Sequence, residues 1–268
     1  MAAKEEFNLL YHVLEGEGPP VIMLHGISQA SNVWRALTTD LVASGYQSIA
    51  VDMLGHGNSF KPKKKEYYTT DIVLGTLEDW VDQLDVDPPY YIVGHSLGGY
   101  MSLTFALHHP KKVRAMVLIN PLFSLSQLQA ALSLLIPLDM LGARILKSTP
   151  LSVIKSFLER SDSFTVNIPA DIRDIYAENI KRASPNFLLI PNTARDLTPR
   201  LKSIKPETLV IWGTKDNIEK AETFPKLVSE LPNATGHIMQ GCGHQPHHNE
   251  PEEVHKLIIQ FFDSHPIG

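Results

Sequence analysis

An α/β fold built on a mostly parallel sheet follows from three observations. Short apolar runs that end at a glycine or a polar turn recur along the 268 residues. Amphipathic stretches with helical periodicity separate them. One long segment, about 122–190, has no strand pattern and holds only helix candidates divided by prolines.

The first strand is VIMLHG (21–26), a continuous apolar run stopped by glycine. Such runs read as strands covered on both faces, and therefore as parallel neighbours. A helix follows over Trp34–Ala43. YQSIAVDMLGHG (46–57) repeats the strand-and-glycine design, and Asp71–Leu84 is the next amphipathic helix. YYIVGHS (90–96) is a strand that runs into a helix over Gly99–His108. VRAMVLIN (113–120), TLVIWGTKD (208–216) and a run at Thr235–Gln240 supply further strands. The closing helix, Val254–Phe262, puts Val254, Leu257, Ile258, Phe261 and Phe262 on one face. Alternating strands and helices imply right-handed crossovers in an open sheet. The helical insertion is rich in leucine, from Leu122 and Phe123 through Leu125, Leu128, Leu132, Leu134 and Leu135 to Leu141. These side chains exceed what one small helical core can bury, so some are expected to line a cavity or a partner surface.

Composition excludes several classes. The net charge is −5, which offers no electrostatic footprint for nucleic acid. KPKKKE (61–66) is the longest charge cluster and reads as a solvated loop. The single cysteine, Cys242, allows no internal disulfide, as fits a reducing, cytoplasmic compartment. MAAKEEFNLL carries acids where a signal peptide would be apolar. No apolar run approaches the ~20 residues that span a bilayer.

Gly94-His95-Ser96-Leu97-Gly98 matches G-x-S-x-G between a buried strand and a helix. A sharp strand-to-helix turn lifts a serine hydroxyl clear of the backbone and needs neighbours without bulk. It also aims the Leu97 amide at a developing oxyanion, near a helix N-terminus that favours negative charge. A phosphate loop is a poor match, because neither G-x-x-x-x-G-K-[ST] nor a strand-following G-x-G-x-x-G is present.

A serine nucleophile needs a base, and the base an orienting acid. Asp216 lies just beyond the strand TLVIWG, and His244 follows the glycines of GCGH after the next strand. Both positions fall at strand C-terminal ends, where open α/β sheets form sites. His247 and His248 are rivals for the base. HQPHH could also hold a metal, but no matching acidic or cysteine partners are visible, and none is assigned. His25-Gly26-Ile27 after the first strand supplies the second oxyanion donor, the Ile27 amide. The expected substrate contacts are His25, Gly26, His95, Phe123 and Leu125, with His25 mainly holding its loop by hydrogen bonds.

In this order, LHG (24–26), VDMLGHGNS (51–59), GHSLGG (94–99), WGTKD (212–216) and GCGH (241–244) resemble the α/β-hydrolase fold superfamily. The resemblance is to its capped members, which include esterases, lipases, C–C bond hydrolases and cofactor-free haloperoxidases. It implies an eight-stranded, mostly parallel sheet, a Ser-acid-His triad and no cofactor. It further implies a helical cap inserted after strand 6, with the core at 1–121 and 191–268 and the cap at 122–190. Relatives that open epoxides or remove halide use aspartate at the elbow, whereas Ser96 favours an acyl-enzyme. The apolar insertion predicts a carboxylic ester with a small to medium apolar group as the substrate. Three alternatives stay open: a C–C hydrolase of a vinylogous diketone, a perhydrolase, and a ligand receptor without turnover. The oligomeric state is not fixed by the sequence.

Overall fold

The computed structural model describes residues 9–129, 139–160 and 168–267. The leucine-rich run 130–138 of the insertion lies outside them. Strands β1 (His12–Glu15), β2 (Pro20–Leu24), β3 (Gln47–Val51), β4 (Tyr90–His95), β5 (Val113–Ile119), β6 (Glu207–Gly213) and β7 (Ala234–Met239) form one sheet in the order β1-β3-β2-β4-β5-β6-β7. Every pairing is parallel except β1 with β3. The sheet therefore has seven strands among the described residues, not eight, and the insertion follows its fifth strand rather than a sixth. Ahead of β1, the carbonyls of Leu9 and Tyr11 accept from the Phe60 and Asp52 amides at 2.9 and 2.8 Å. That stretch is committed to the 52–60 loop and adds no strand.

The apolar runs form central strands for the expected reason. Every residue of β2 and β4 is buried, and side chains alternate between two cores. Ile22, Leu24 and Ile92 face one side with Leu74 and Leu77 of helix α2 (Thr70–Val81) and Leu103 of α3 (Leu97–His108). Val21, Met23, Tyr91 and Val93 face the other, against Leu37 and Leu41 of α1 (Arg35–Ala43). There the apolar stripe of the last helix, Pro251–Asp263, also packs. Its Phe262 stacks on Tyr91 with ring centroids 4.4 Å apart. Burying such a ring is worth about 1.5–3 kcal/mol, so the final helix is anchored by one edge of its sequence. Helix α2 starts one residue ahead of expectation because Thr69 caps it, accepting from the Ile72 amide.

Between β5 and β6 lie α4 (Asp139–Ser148), α5 (Leu151–Arg160) and α6 (Ala170–Arg182), followed by short 3-10 turns at Pro185–Leu189 and Thr198–Ser203. Ile154 and Leu158 of α5 and Tyr176 of α6 are buried. Helix α6 is tied to the core through Asn179 and Asn32, whose side-chain amides exchange two hydrogen bonds of 3.1 and 2.7 Å. No helix among the described residues is long and apolar enough to cross a membrane.

Candidate active site

Strand β4 and helix α3 meet at Ser96, whose backbone has φ 52° and ψ −114°. A side chain other than glycine in this region is strained and persists only where its surroundings impose it. Here the Ser96 amide donates to the Ile119 carbonyl at 3.1 Å, and the Ser96 carbonyl accepts from the Tyr100 and Leu122 amides at 3.1 Å each. The turn needs close approach as well as strain. A Cβ on Gly98 would sit 2.1 Å from the Leu24 carbonyl oxygen, so the first turn of α3 lies directly on the end of β2. The Leu97 amide belongs to that turn, whose N–H groups have no carbonyl partner inside the helix.

The loop after β2 is held by two histidines. His25 Nδ1 donates to the Gly26 carbonyl at 2.7 Å, and its Nε2 accepts from the Met53 amide at 3.0 Å. His56 works the same way, with Nδ1 toward the Leu54 carbonyl at 3.1 Å and Nε2 toward the Ser28 amide at 3.2 Å. Both rings are fully buried and neutral. Burial pushes both below the ordinary histidine value, His56 to about 3 with help from the nearby His25. His25 thus spends both nitrogens on backbone, holding its loop as expected, and is not among the residues lining the cleft.

The acid and the imidazole come from loops after β6 and β7. Asp216 Oδ2 accepts from His244 Nδ1 at 2.8 Å and from Asn120 Nδ2 at 2.6 Å. Its Oδ1 accepts from the Ile218 and Glu219 amides at 2.8 and 2.9 Å. Burial raises the Asp216 carboxyl. The charge and hydrogen bond of His244 and the two amides outweigh that, and the group stays below the usual aspartate value. His95 donates from Nε2 to the His244 carbonyl at 2.9 Å, which fixes the loop carrying the imidazole. The rivals lack this support. His247 is buried on Trp34, with ring centroids 5.0 Å apart and neither nitrogen hydrogen-bonded, and His248 Nε2 is also unpartnered.

Ser96, His244, His95, Ile27 and Ser28 line one cleft of about 110 Å³, with Leu158 and Ile180 opposite. An apolar cavity of about 400 Å³ adjoins it, sharing Ile27, Ser28, Leu158 and Ile180 and continuing along Val153, Phe157, Phe187 and Leu188. Of the five expected substrate contacts, His95 lines the cleft. Gly26 lies behind it, packed against His95 where a Cβ would be 2.7 Å from Nδ1. Phe123 and Leu125 sit elsewhere. The Gln127 side chain accepts from the Phe123 and Ser124 amides at 2.6 and 3.0 Å. That fold-back tucks Phe123 into the core and leaves Leu125 on a 3-10 turn.

Sequence reasoning missed Asn120, Glu219, Tyr176 and Gln245. Asn120, a buried polar residue ending the apolar run VRAMVLIN, carried a readable signal; the others gain meaning only from the tertiary fold. Asp216, Glu219 and His244 present ligand-type atoms within 4.8 Å of one another. The four N–H donors on Asp216 already occupy its lone pairs, so this group is built for hydrogen bonding and fits a cation poorly.

A family described as alpha/beta hydrolase fold matches residues 19–251. The chain is 29% identical over 260 residues to a 2-hydroxy-6-oxo-6-phenylhexa-2,4-dienoate hydrolase of Burkholderia cepacia, covering 92% of this chain and 88% of that one. It is 26% identical over 270 residues to a 2-hydroxy-6-oxononadienedioate/2-hydroxy-6-oxononatrienedioate hydrolase of Paraburkholderia xenovorans, covering 96% and 91%. Among solved structures, a thermophilic esterase from Thermogutta terrifontis superposes with a TM-score of 0.81 at 20% identity, covering 96% and 94%. With a strained serine between strand and helix and the match running through nearly the whole chain, this protein belongs to the alpha/beta-hydrolase fold family.

Proposed function

We propose that this hydrolase cleaves carboxylic esters bearing an apolar group, through an acyl-enzyme on Ser96. The observation that carries the reading is that Ser96 and the Asp216-bound His244 line one cleft. His244 takes the Ser96 proton as the hydroxyl attacks the ester carbonyl. The amides of Leu97 and Ile27 bind the oxyanion, and His244 returns the proton to the departing alcohol. Water, deprotonated by the same imidazole, then releases the acid. Asp216 sets the Nδ1–H tautomer and stabilises the imidazolium. Residues 122–190 act as a cap over this core of 1–121 and 191–268, and the apolar cavity beside Ile27 receives the substrate's hydrocarbon part.

The lining favours an uncharged substrate. No lysine or arginine lines the cleft or the adjoining cavity among the described residues. A bound carboxylate would be desolvated there without a countercharge, at a cost of several kcal/mol. The second reading, C–C hydrolysis of a dienoate, draws on the names of the two relatives above and uses the same serine, imidazole and acid. A panel of p-nitrophenyl esters of increasing chain length, run beside a dienoic ring-fission product, separates the two. Ester cleavage that depends on chain length and vanishes in Ser96→Ala supports the proposal. A marked preference for the dienoate over every ester overturns it.

A further inference from the structure

Next to Asp216 lies a second buried carboxyl that the mechanism above does not use. Glu219 is 1% exposed, and its Oε2 has no hydrogen-bond partner. Its backbone is pinned from both sides. The Glu219 amide donates to Asp216 Oδ1 at 2.9 Å, its carbonyl accepts from Gln129 Nε2 at 3.4 Å, and Leu128 pairs with it in an isolated antiparallel bridge. Thus held, the side chain brings an oxygen within 4.8 Å of both an Asp216 oxygen and a His244 nitrogen.

Two carboxyls this close in a dry site cannot both ionise. Four N–H donors favour the charged form of Asp216, so Asp216 is the anion and Glu219 keeps its proton. Burial, and then the Asp216 charge, push Glu219 well above the ordinary glutamate range. Among the described residues, Asp216 and His244 are the titratable groups beside Glu219. The 125–129 segment brings the neutral Leu128 and Gln129, and Lys220 turns its Nζ to the Ser126 carbonyl at 2.9 Å. An apolar side chain would fill such a position without desolvating a carboxyl.

We propose that Asp216 and Glu219 form a two-carboxyl unit that holds one proton, in which Glu219 is a positioning residue able to take over the orientation of His244 when Asp216 is neutralised. The inference rests on the serine-hydrolase reading given above. The exchange balances. When residue 216 loses its charge, Glu219 gives its proton to solvent, and its carboxylate accepts the Nδ1–H of His244. The imidazole therefore faces one negative charge in either state.

Double-mutant kinetics test it. Hydrolysis of p-nitrophenyl butyrate is measured for wild type, Asp216→Asn, Glu219→Gln and the double variant, with Ser96→Ala as the blank and melting curves to verify folding. A triad with a single acid loses about 10⁴-fold when that acid is removed. The expected result is a loss of about 100-fold or less in Asp216→Asn, and a fall toward the ~10⁴-fold floor in the double variant. Asp216→Asn should also gain an acid limb in its pH–kcat profile that the double variant lacks. Equal rates and profiles for Asp216→Asn and the double variant overturn the proposal. If Asp216→Asn does not fold, infrared spectroscopy decides. Wild type at neutral pH must show a carboxylic-acid C=O band that Glu219→Gln abolishes, and its absence overturns the shared proton. If wild type hydrolyses no ester in a Ser96-dependent way, the serine-hydrolase reading fails instead, and the infrared band still decides whether Glu219 is protonated.

Discussion

Asn120 Nδ2 donates to the same Asp216 oxygen that accepts from His244 Nδ1, at 2.6 and 2.8 Å. The end of β5 therefore aims the carboxylate that aims the imidazole. Hydrogen bonds to charged groups contribute about 1.5–3 kcal/mol. Asn120→Ala should lower kcat by ~10–100-fold with little change in KM, read from steady-state ester hydrolysis.

Ser96→Ala and His244→Ala should each lower kcat by about 10⁶-fold. A fluorophosphonate probe should label wild type within residues 91–103 and leave Ser96→Ala unlabelled, as read by peptide mapping. Labelling at another segment would refute the nucleophile assignment.

Acid should destabilise the protein through its buried histidines. In the folded chain His56 and His248 are pushed down to about 3, chiefly by burial, with the neighbouring His25 and His255 imidazoles respectively adding to it. Their unfolded value is near 6.5. Below that pH the unfolded chain takes up protons that the folded chain refuses, so stability is complete above about 6.5 and falls steadily toward 3. Each group contributes a slope of up to about 1.4 kcal/mol per pH unit. Urea unfolding from pH 7 to 4 should show this loss, and His248→Gln should flatten it.

Gly98→Ala should fail to reach the native fold or should melt far below wild type. Its Cβ would meet backbone at 2.1 Å, which no rotamer can relieve. Circular dichroism melts check this, and a wild-type Tm would contradict the packing of α3 on β2.

Leu158 lines both the cleft and the apolar cavity. Leu158→Trp should move the preferred p-nitrophenyl ester toward shorter chains, because a methylene without space costs about 1–3 kcal/mol. An unaltered chain-length profile would place the hydrocarbon elsewhere.

The elbow was legible because its signals are local: an apolar strand, a glycine-spaced serine and a helix lie within one short stretch. Asp216 and His244 were legible because both follow strand ends at glycine-bearing turns. Glu219 was not, since its role arises only when the 125–129 segment and the loop after β6 lie side by side. His25 holds its loop by hydrogen bonds, as its position after the strand suggested. It stands beside the expected oxyanion loop in sequence, and its ring turns inward to the Met53 amide. Phe123 and Leu125 were expected at substrate for their apolarity, a property that suits core packing equally well. The fold class was legible, while the described residues form seven strands rather than eight, and at their N-terminal edge the carbonyls of Leu9 and Tyr11 bond the 52–60 loop.

The reciprocal bonds between Asn32 and Asn179 join two uncharged groups. Salt does not screen them, and neither partner gains or loses a proton across the working pH range. Any swing of α6 away from the sheet must break both at once, whatever the buffer. The latch between the inserted helices and the hydrolase core thus has a strength set by geometry alone.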